Sequence, residues 1–404
     1  MTATYRFIII ALILFSLFSV FATIPSEDEF FKKADEGHYL AFARLVNEHG
    51  ISEFPKLAET YINNPKARAF PAPLRVGHIL ITAFWLKIFG PTFVSLAWFS
   101  FFCFVSFLLI SFYFAKKHFG RDVAYIFTLL LSSSPLMMAM GRRALSDMHG
   151  NLIMGITIWL FLDFLGDSRK FKYFLFIIFF YFSALVREYS FILVLFFAAF
   201  FFVYQFGYKK KISYAYLLGV VALPLFMAGA TYCILFGGIT NVINLLKAIF
   251  YAHAQPPDQY AYLFCMGPWY RFVIDFMLLT PITTLLFIGY FSHKLLKRAI
   301  EWKSAYFMAY FMTVFIVLGN AKYSKVVRFA INLETVIALF AALFIFEVFS
   351  RIEHKGRAAV IFLSAFAIFV INYRGFIDLF CFNGIYDPVS YFLLAARKII
   401  PNFF

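Results

Sequence analysis

The chain has 404 residues, 63% of them hydrophobic and 14% charged, and a formal net charge of +15. Soluble domains carry about 25% charged residues, so the composition excludes a water-soluble globular protein. Lys and Arg residues mark the ends of apolar blocks rather than one face of a folded domain, which argues against nucleic acid as a partner.

In chain order, the apolar blocks predict an all-α polytopic membrane protein with about eleven spans. Their approximate limits are 7–24, 92–114, 122–141, 148–165, 172–186, 189–206, 213–236, 271–291, 304–319, 327–349 and 358–373. The first block reads as an uncleaved helix, although Val20-Phe21-Ala22 would pass as a signal-peptide cleavage site. Basic clusters then recur: Arg6; Lys116, Lys117 and Arg121; Arg169, Lys170 and Lys172; Lys209 to Lys211; Lys294, Lys297, Arg298 and Lys303; Arg351, Lys355 and Arg357. With these spans every cluster falls on one side, expected to be cytoplasmic. Residues 25–91 and 237–270 become two long outer loops, and 374–404 an outer tail.

Leu74 to Phe89 is apolar enough to tempt an extra span, but counting it would put Lys116, Lys117 and Arg121 outside. Bounded by Pro71-Ala72-Pro73 and Gly90-Pro91, it is expected to form a helix at the outer interface. Earlier in the same loop, Tyr39, Phe42, Ala43 and Val46 lie at helical spacing and Gly50 is a natural terminator. This predicts a short amphipathic helix with Asp35 and Glu36 in its first turn. Carboxylates there are favoured by the helix dipole; they also suit a base for a hydroxyl, or a divalent-metal site.

Two further groups sit on the side where positive charge is unexpected. Gly141-Arg142-Arg143-Ala144-Leu145-Ser146-Asp147 is a tight connection whose arginines imply an anionic ligand, or an Arg–Asp pair bracing two helix ends. Lys322, Lys325 and Arg328 repeat at a spacing of three, predicting one helical face that binds phosphate, or else a solvated or lipid-headgroup-binding face. Arg187 and Glu188 read as a smaller, structural outer pair. An acidic base beside cations for a departing phosphate is the equipment of group transfer from a lipid phosphate. The four cysteines have no metal-ligand spacing and read as free thiols.

With these residues in order, the chain resembles the glycosyltransferase-C (GT-C) superfamily. The likeness is to bacterial relatives of protein O-mannosyltransferases and of the aminoarabinose transferase that acts on lipid A. The resemblance is carried by Asp35-Glu36 with Tyr39, Pro71-Ala72-Pro73-Leu74, Phe89-Gly90, Ser134-Pro135, Arg143 with Asp147, and Lys322 to Arg328. It departs from the family in lacking adjacent prolines at 71–73 and a proline after the late basic element. It implies a GT-C-like transmembrane catalytic domain over 1–373, with its active site on the outer face of a bacterial inner membrane. It implies a polyprenyl-phosphate sugar donor and a glycan, glycolipid or protein acceptor. Asp35 would activate the acceptor, with Glu36 and Asp147 in support; Arg142, Arg143, Lys322, Lys325 and Arg328 would hold the donor phosphate. The expected transfer is metal-optional, and a divalent cation (Mg or Mn), if used, would sit on Asp35 and Asp147. The competing functions are a transporter or flippase of a lipid-linked sugar, and a non-catalytic envelope-assembly subunit.

Overall fold

Every regular element among the described residues is helical. The computed structural model describes residues 1–208, 213–254, 265–297, 300–322, 325–352 and 354–382. The predicted features at Lys209 to Lys211, Arg298, Tyr323-Ser324, the middle of the second loop and most of the tail lie outside them.

The chain begins with α1 (Ala3–Ala22), followed by α2 (Asp35–His49), α3 (Phe54–Asn63) and α4 (Val76–Phe89). The long α5 (Phe93–Phe119) starts under a cap, Thr92 Oγ1 accepting from Ser95 N at 3.1 Å, and stops at Gly120, φ 94°. The span over 122–141 is broken into α6 (Arg121–Ser133) and α7 (Pro135–Gly141), bent by 63°. Proline at the first position of α7 has no N–H to continue the α6 ladder, so the bend falls there. It turns the chain into the Arg142–Ser146 connection.

Helix α8 (Asp147–Gly166) is apolar around its circumference and buried along nearly its whole length. A helix of that kind belongs in the middle of a bundle, and α8 packs between α5 and α9 (Lys170–Val186). The rest are α10 (Ile192–Phe202), α11 (Tyr214–Leu235), α12 (Ile239–Ala254), α13 (Arg271–Leu279), α14 (Pro281–Lys297), α15 (Trp302–Asn320), α16 (Leu333–Val348) and α17 (His354–Phe376).

Seven helices among the described residues are long and apolar enough to cross a membrane, or eight if α6 and α7 count as one broken span. The figure of eleven is not reached on that measure. The expected spans at 172–186, 271–291 and 327–349 fall on shorter elements: α9, the α13–α14 pair and α16.

The two ends of α8 differ in chemistry. At its far end Asp163 gathers Lys117 at 2.5 Å, Lys172 at 3.1 Å and His118 at 3.4 Å. Sixteen residues of helix place that group about 24 Å from Asp147. Helix length thus keeps the basic clusters of α5 and α9 away from the acids at the other end.

Candidate active site

Helix α2 forms where expected, burying Glu36, Tyr39, Leu40, Ala43 and Val46 on one face and stopping at Gly50, φ 73°. Its first turn docks tightly against the preceding loop. A Cβ on Gly37 would lie 1.9 Å from the carbonyl oxygen of Lys32, so only glycine permits this approach.

The two adjacent acids have different environments. Glu36 is fully buried and saturated: Oε1 accepts from Arg143 Nε at 2.8 Å and Ala144 N at 3.1 Å. Its Oε2 accepts from Arg143 Nη2 at 2.6 Å and Phe31 N at 2.9 Å. The Arg143 guanidinium lies over Phe31, 4.8 Å from the ring centre, and over Phe30 at 5.3 Å. This two-point pair fixes α2 to the α7–α8 connection. Arg143 is therefore paired with Glu36 rather than with Asp147, as neighbouring positions had suggested.

Asp35 faces the other way, into a buried group drawn from five parts of the chain. Arg328 donates Nη2 to Asp35 Oδ2, and its Nη1 lies 3.8 Å from Asp147 Oδ2. Asp147 Oδ1 accepts from Arg187 Nη2. Arg75 holds Glu188 through two contacts, Nε to Oε2 at 2.8 Å and Nη2 to Oε1 at 2.5 Å, and donates Nη1 to the Tyr39 hydroxyl. Ser146 Oγ also donates to that hydroxyl, at 2.7 Å. Behind Tyr39, His78 and His149 meet through their Nδ1 atoms at 3.1 Å. Burial pushes the Asp35 carboxyl up, but Arg328, helped by Arg75 and Arg187, outweighs it and holds the group below its ordinary range.

Arg187 can cross α8 to Asp147 only because α8 has no side chain at Gly150. A Cβ there would stand 2.6 Å from Arg187 Cγ and 3.0 Å from Nε. Arg187 and Glu188 do not form their own pair: each binds a partner on another element. Three arginines, Arg75, Arg187 and Arg328, thus face three acids, Asp35, Asp147 and Glu188.

The other expected phosphate ligands are dispersed. Arg142 donates to the Phe380 carbonyl and the Cys381 Sγ, each at 3.1 Å. Lys325 turns to the Gly267 carbonyl, and Lys322 is exposed at a bend beyond α15. The anticipated helical stripe fails because Lys325 precedes the one-turn 3-10 helix Val327–Ala330 and only Arg328 lies in it. Arg75, Tyr39, Ser146 and the two histidines were not among the expected site residues. Arg75 carried a signal: it is a cation placed between Pro73 and an apolar helix.

Asp35 and Asp147, the expected ligands of a divalent cation, each face a guanidinium in this arrangement. Among the described residues no three His, Cys, Asp or Glu side chains form a ligand group.

The bundle and its acid-bearing amphipathic α2 define a multi-pass, all-helical membrane protein. Residues 76–232 match the family described as dolichyl-phosphate-mannose-protein mannosyltransferase. No curated protein matches by sequence. Among solved structures, ArnT from Cupriavidus metallidurans in the apo state superposes with a TM-score of 0.56 at 13% identity, covering 89% of this chain and 62% of ArnT. The same ArnT bound to undecaprenyl phosphate gives 0.55 at 12% identity, with the same coverage. The apo Archaeoglobus fulgidus oligosaccharyltransferase gives 0.56 at 13%, covering 96% of this chain and 56% of that one. The chain spans less than two thirds of the length of these relatives.

Proposed function

We propose that the protein is a membrane glycosyltransferase that moves a sugar from a polyprenyl-phosphate donor to an extracytoplasmic acceptor in the cell envelope. The reading rests on one observation above the others: Arg328 bridges Asp35 and Asp147, joining a carboxylate base to a cation suited to phosphate. The mannosyltransferase match over 76–232 and the ArnT likeness support it.

In the proposed step an acceptor oxygen or amine bonds to the anomeric carbon while the bond from that carbon to the phosphate oxygen breaks. The acceptor's proton passes to Asp35, and the bonding electron pair leaves with polyprenyl phosphate. A general base so placed contributes about 10²–10⁴-fold, and guanidinium groups stabilise the departing phosphate oxygen in a site shielded from water. Direct displacement inverts the anomeric centre. Glu36 and Arg143 hold the base-bearing helix rather than touching substrate.

Mass spectrometry of envelope glycolipids and glycans, from cells with and without the protein, tests the reading. A missing residue of defined mass identifies sugar and acceptor together; identical profiles, with no transfer by purified protein, would refute it.

A further inference from the structure

We infer that the site is closed against itself: in the resting protein Asp35 occupies the place of the donor phosphate on Arg328, and donor binding takes Arg328 over and frees Asp35 to act as base. This rests on the proposed glycosyl transfer and adds to it an order of events.

Charge balance carries the argument. Among the described residues three guanidiniums already meet three carboxylates, so each of these arginines has a carboxylate partner. A sugar phosphodiester brings one negative charge. An anion without a guanidinium beside it is disfavoured in such a site. The phosphodiester can gain a guanidinium here by taking one from a carboxylate, and the carboxylate so released stands as a free anion, the state a general base must be in. Asp147 and Arg187 are each only 1% exposed, and Arg75 is further tied to Tyr39 and Ser146. Glu188 is as open as Asp35, at 21% against 18%, but Arg75 grips it through two contacts, whereas Arg328 reaches Asp35 through Nη2 and stands on a single 3-10 turn rather than within a long helix.

The chemistry then closes on its own. Before transfer the donor phosphate and Asp35 carry one negative charge each. Afterwards the released phosphate carries both, and Asp35 carries the acceptor's proton. Moving Arg328 from Asp35 to the phosphate follows the charge. It also removes the influence that keeps Asp35 a weak base. Without donor the base stays blocked.

The test is binding of undecaprenyl phosphate to the full chain in lipid nanodiscs, measured for the wild type, Asp35→Asn, Asp35→Ser, Arg328→Ala and Asp35→Asn with Arg328→Ala. The Asp35 variants should be inactive yet bind about tenfold more tightly, the worth of one charge-assisted hydrogen bond. Arg328→Ala should bind more weakly than wild type, and the double variant should match Arg328→Ala, because Asp35 acts on the ligand only through Arg328. Weaker or unchanged binding in both folded Asp35 variants, while the wild type still transfers sugar, overturns the exchange and leaves the glycosyltransferase intact. A wild type that neither binds undecaprenyl phosphate nor transfers sugar removes the underlying reading instead.

Discussion

Arg328 and Asp35, 293 positions apart in the sequence, meet in a charge-assisted hydrogen bond that closes the bundle over its acidic site. The contact joins the first amphipathic helix to the turn before α16, and the chemistry proposed above runs through it.

Asp35→Asn keeps the shape of the side chain and removes the base. Sugar transfer should fall by about 10²–10⁴-fold, while the protein stays folded with a lowered unfolding midpoint, since the ionised carboxyl on Arg328 is lost and Asp147 alone remains beside it. Initial rates with a polyprenyl-phosphate sugar, beside a thermal melt, decide the matter. Near-normal turnover would show that Asp35 is not the base.

Glu36→Gln should act chiefly on stability. Glu36 has no solvent exposure and accepts four hydrogen bonds, two of them from Arg143. Removing its charge leaves a guanidinium partly buried without its partner, a loss of about 3–5 kcal/mol. The unfolding midpoint should drop, with Arg143→Ala lowering it similarly and the double variant far from additive. Equal stability of Glu36→Gln and wild type would contradict the latch.

These adjacent acids mark the limit of what the sequence disclosed. The acidic first turn of helix α2 and its stop at Gly50 were legible, because hydrophobic period, acidic first turn and Gly50 are all local signals. The grouping of Asp35, Asp147 and Arg328 on one side was also legible, from charge lying where positive charge is scarce. Partner choice was not. Glu36–Arg143, Asp147–Arg187 and Glu188–Arg75 are settled by tertiary packing, and nothing in the spacing of Arg142, Arg143 and Asp147 says which guanidinium turns inward. The stripe from Lys322 to Arg328 misled because a spacing of three implies a shared face only where a helix exists.

Gly150→Ala separates packing from chemistry in another way. In a helix interior this change is ordinarily favourable by roughly 1 kcal/mol. Here the added methyl would collide with Arg187 Cγ at 2.6 Å. Arg187 should be pushed off Asp147, with transfer reduced and the expected stabilisation absent. Thermal melts and rates on the same preparation check both parts; a more stable variant with full activity would show that Arg187 has no need of this path.

The pH dependence follows from the depressed Asp35 carboxyl. A group held below its ordinary value when folded adds stability above its unfolded value, and that stability is lost as pH falls through the folded one. In free enzyme Asp35 is therefore ionised throughout the neutral range and down past its usual value of 3.8. The acid limb of kcat/KM should lie below that point as far as Asp35 sets it. Arg328→Gln removes the principal opposing charge and should move the limb upward. A limb that stays in place on the residual activity would mean that Arg328 does not govern Asp35.

Orientation is the last expectation, and helix length makes it testable. Lys33 lies two residues before Asp35 and Lys116 near the end of α5, and both are exposed. The 27 residues of α5 span about 40 Å, enough to keep its two ends on opposite faces of a bilayer. A chain with Cys103, Cys233, Cys265 and Cys381 replaced by serine, then given a single cysteine at position 33 or 116, reports the side of each. A membrane-impermeant maleimide added to intact cells should label position 33 and leave position 116 unlabelled until the membrane is opened. The basic end of α8, where Lys117 and Lys172 hold Asp163, would then face the cytoplasm, with Asp35 and Asp147 opening outward. Labelling of position 116 alone in intact cells would invert the protein and turn the proposed acceptor from an envelope component into a cytoplasmic one.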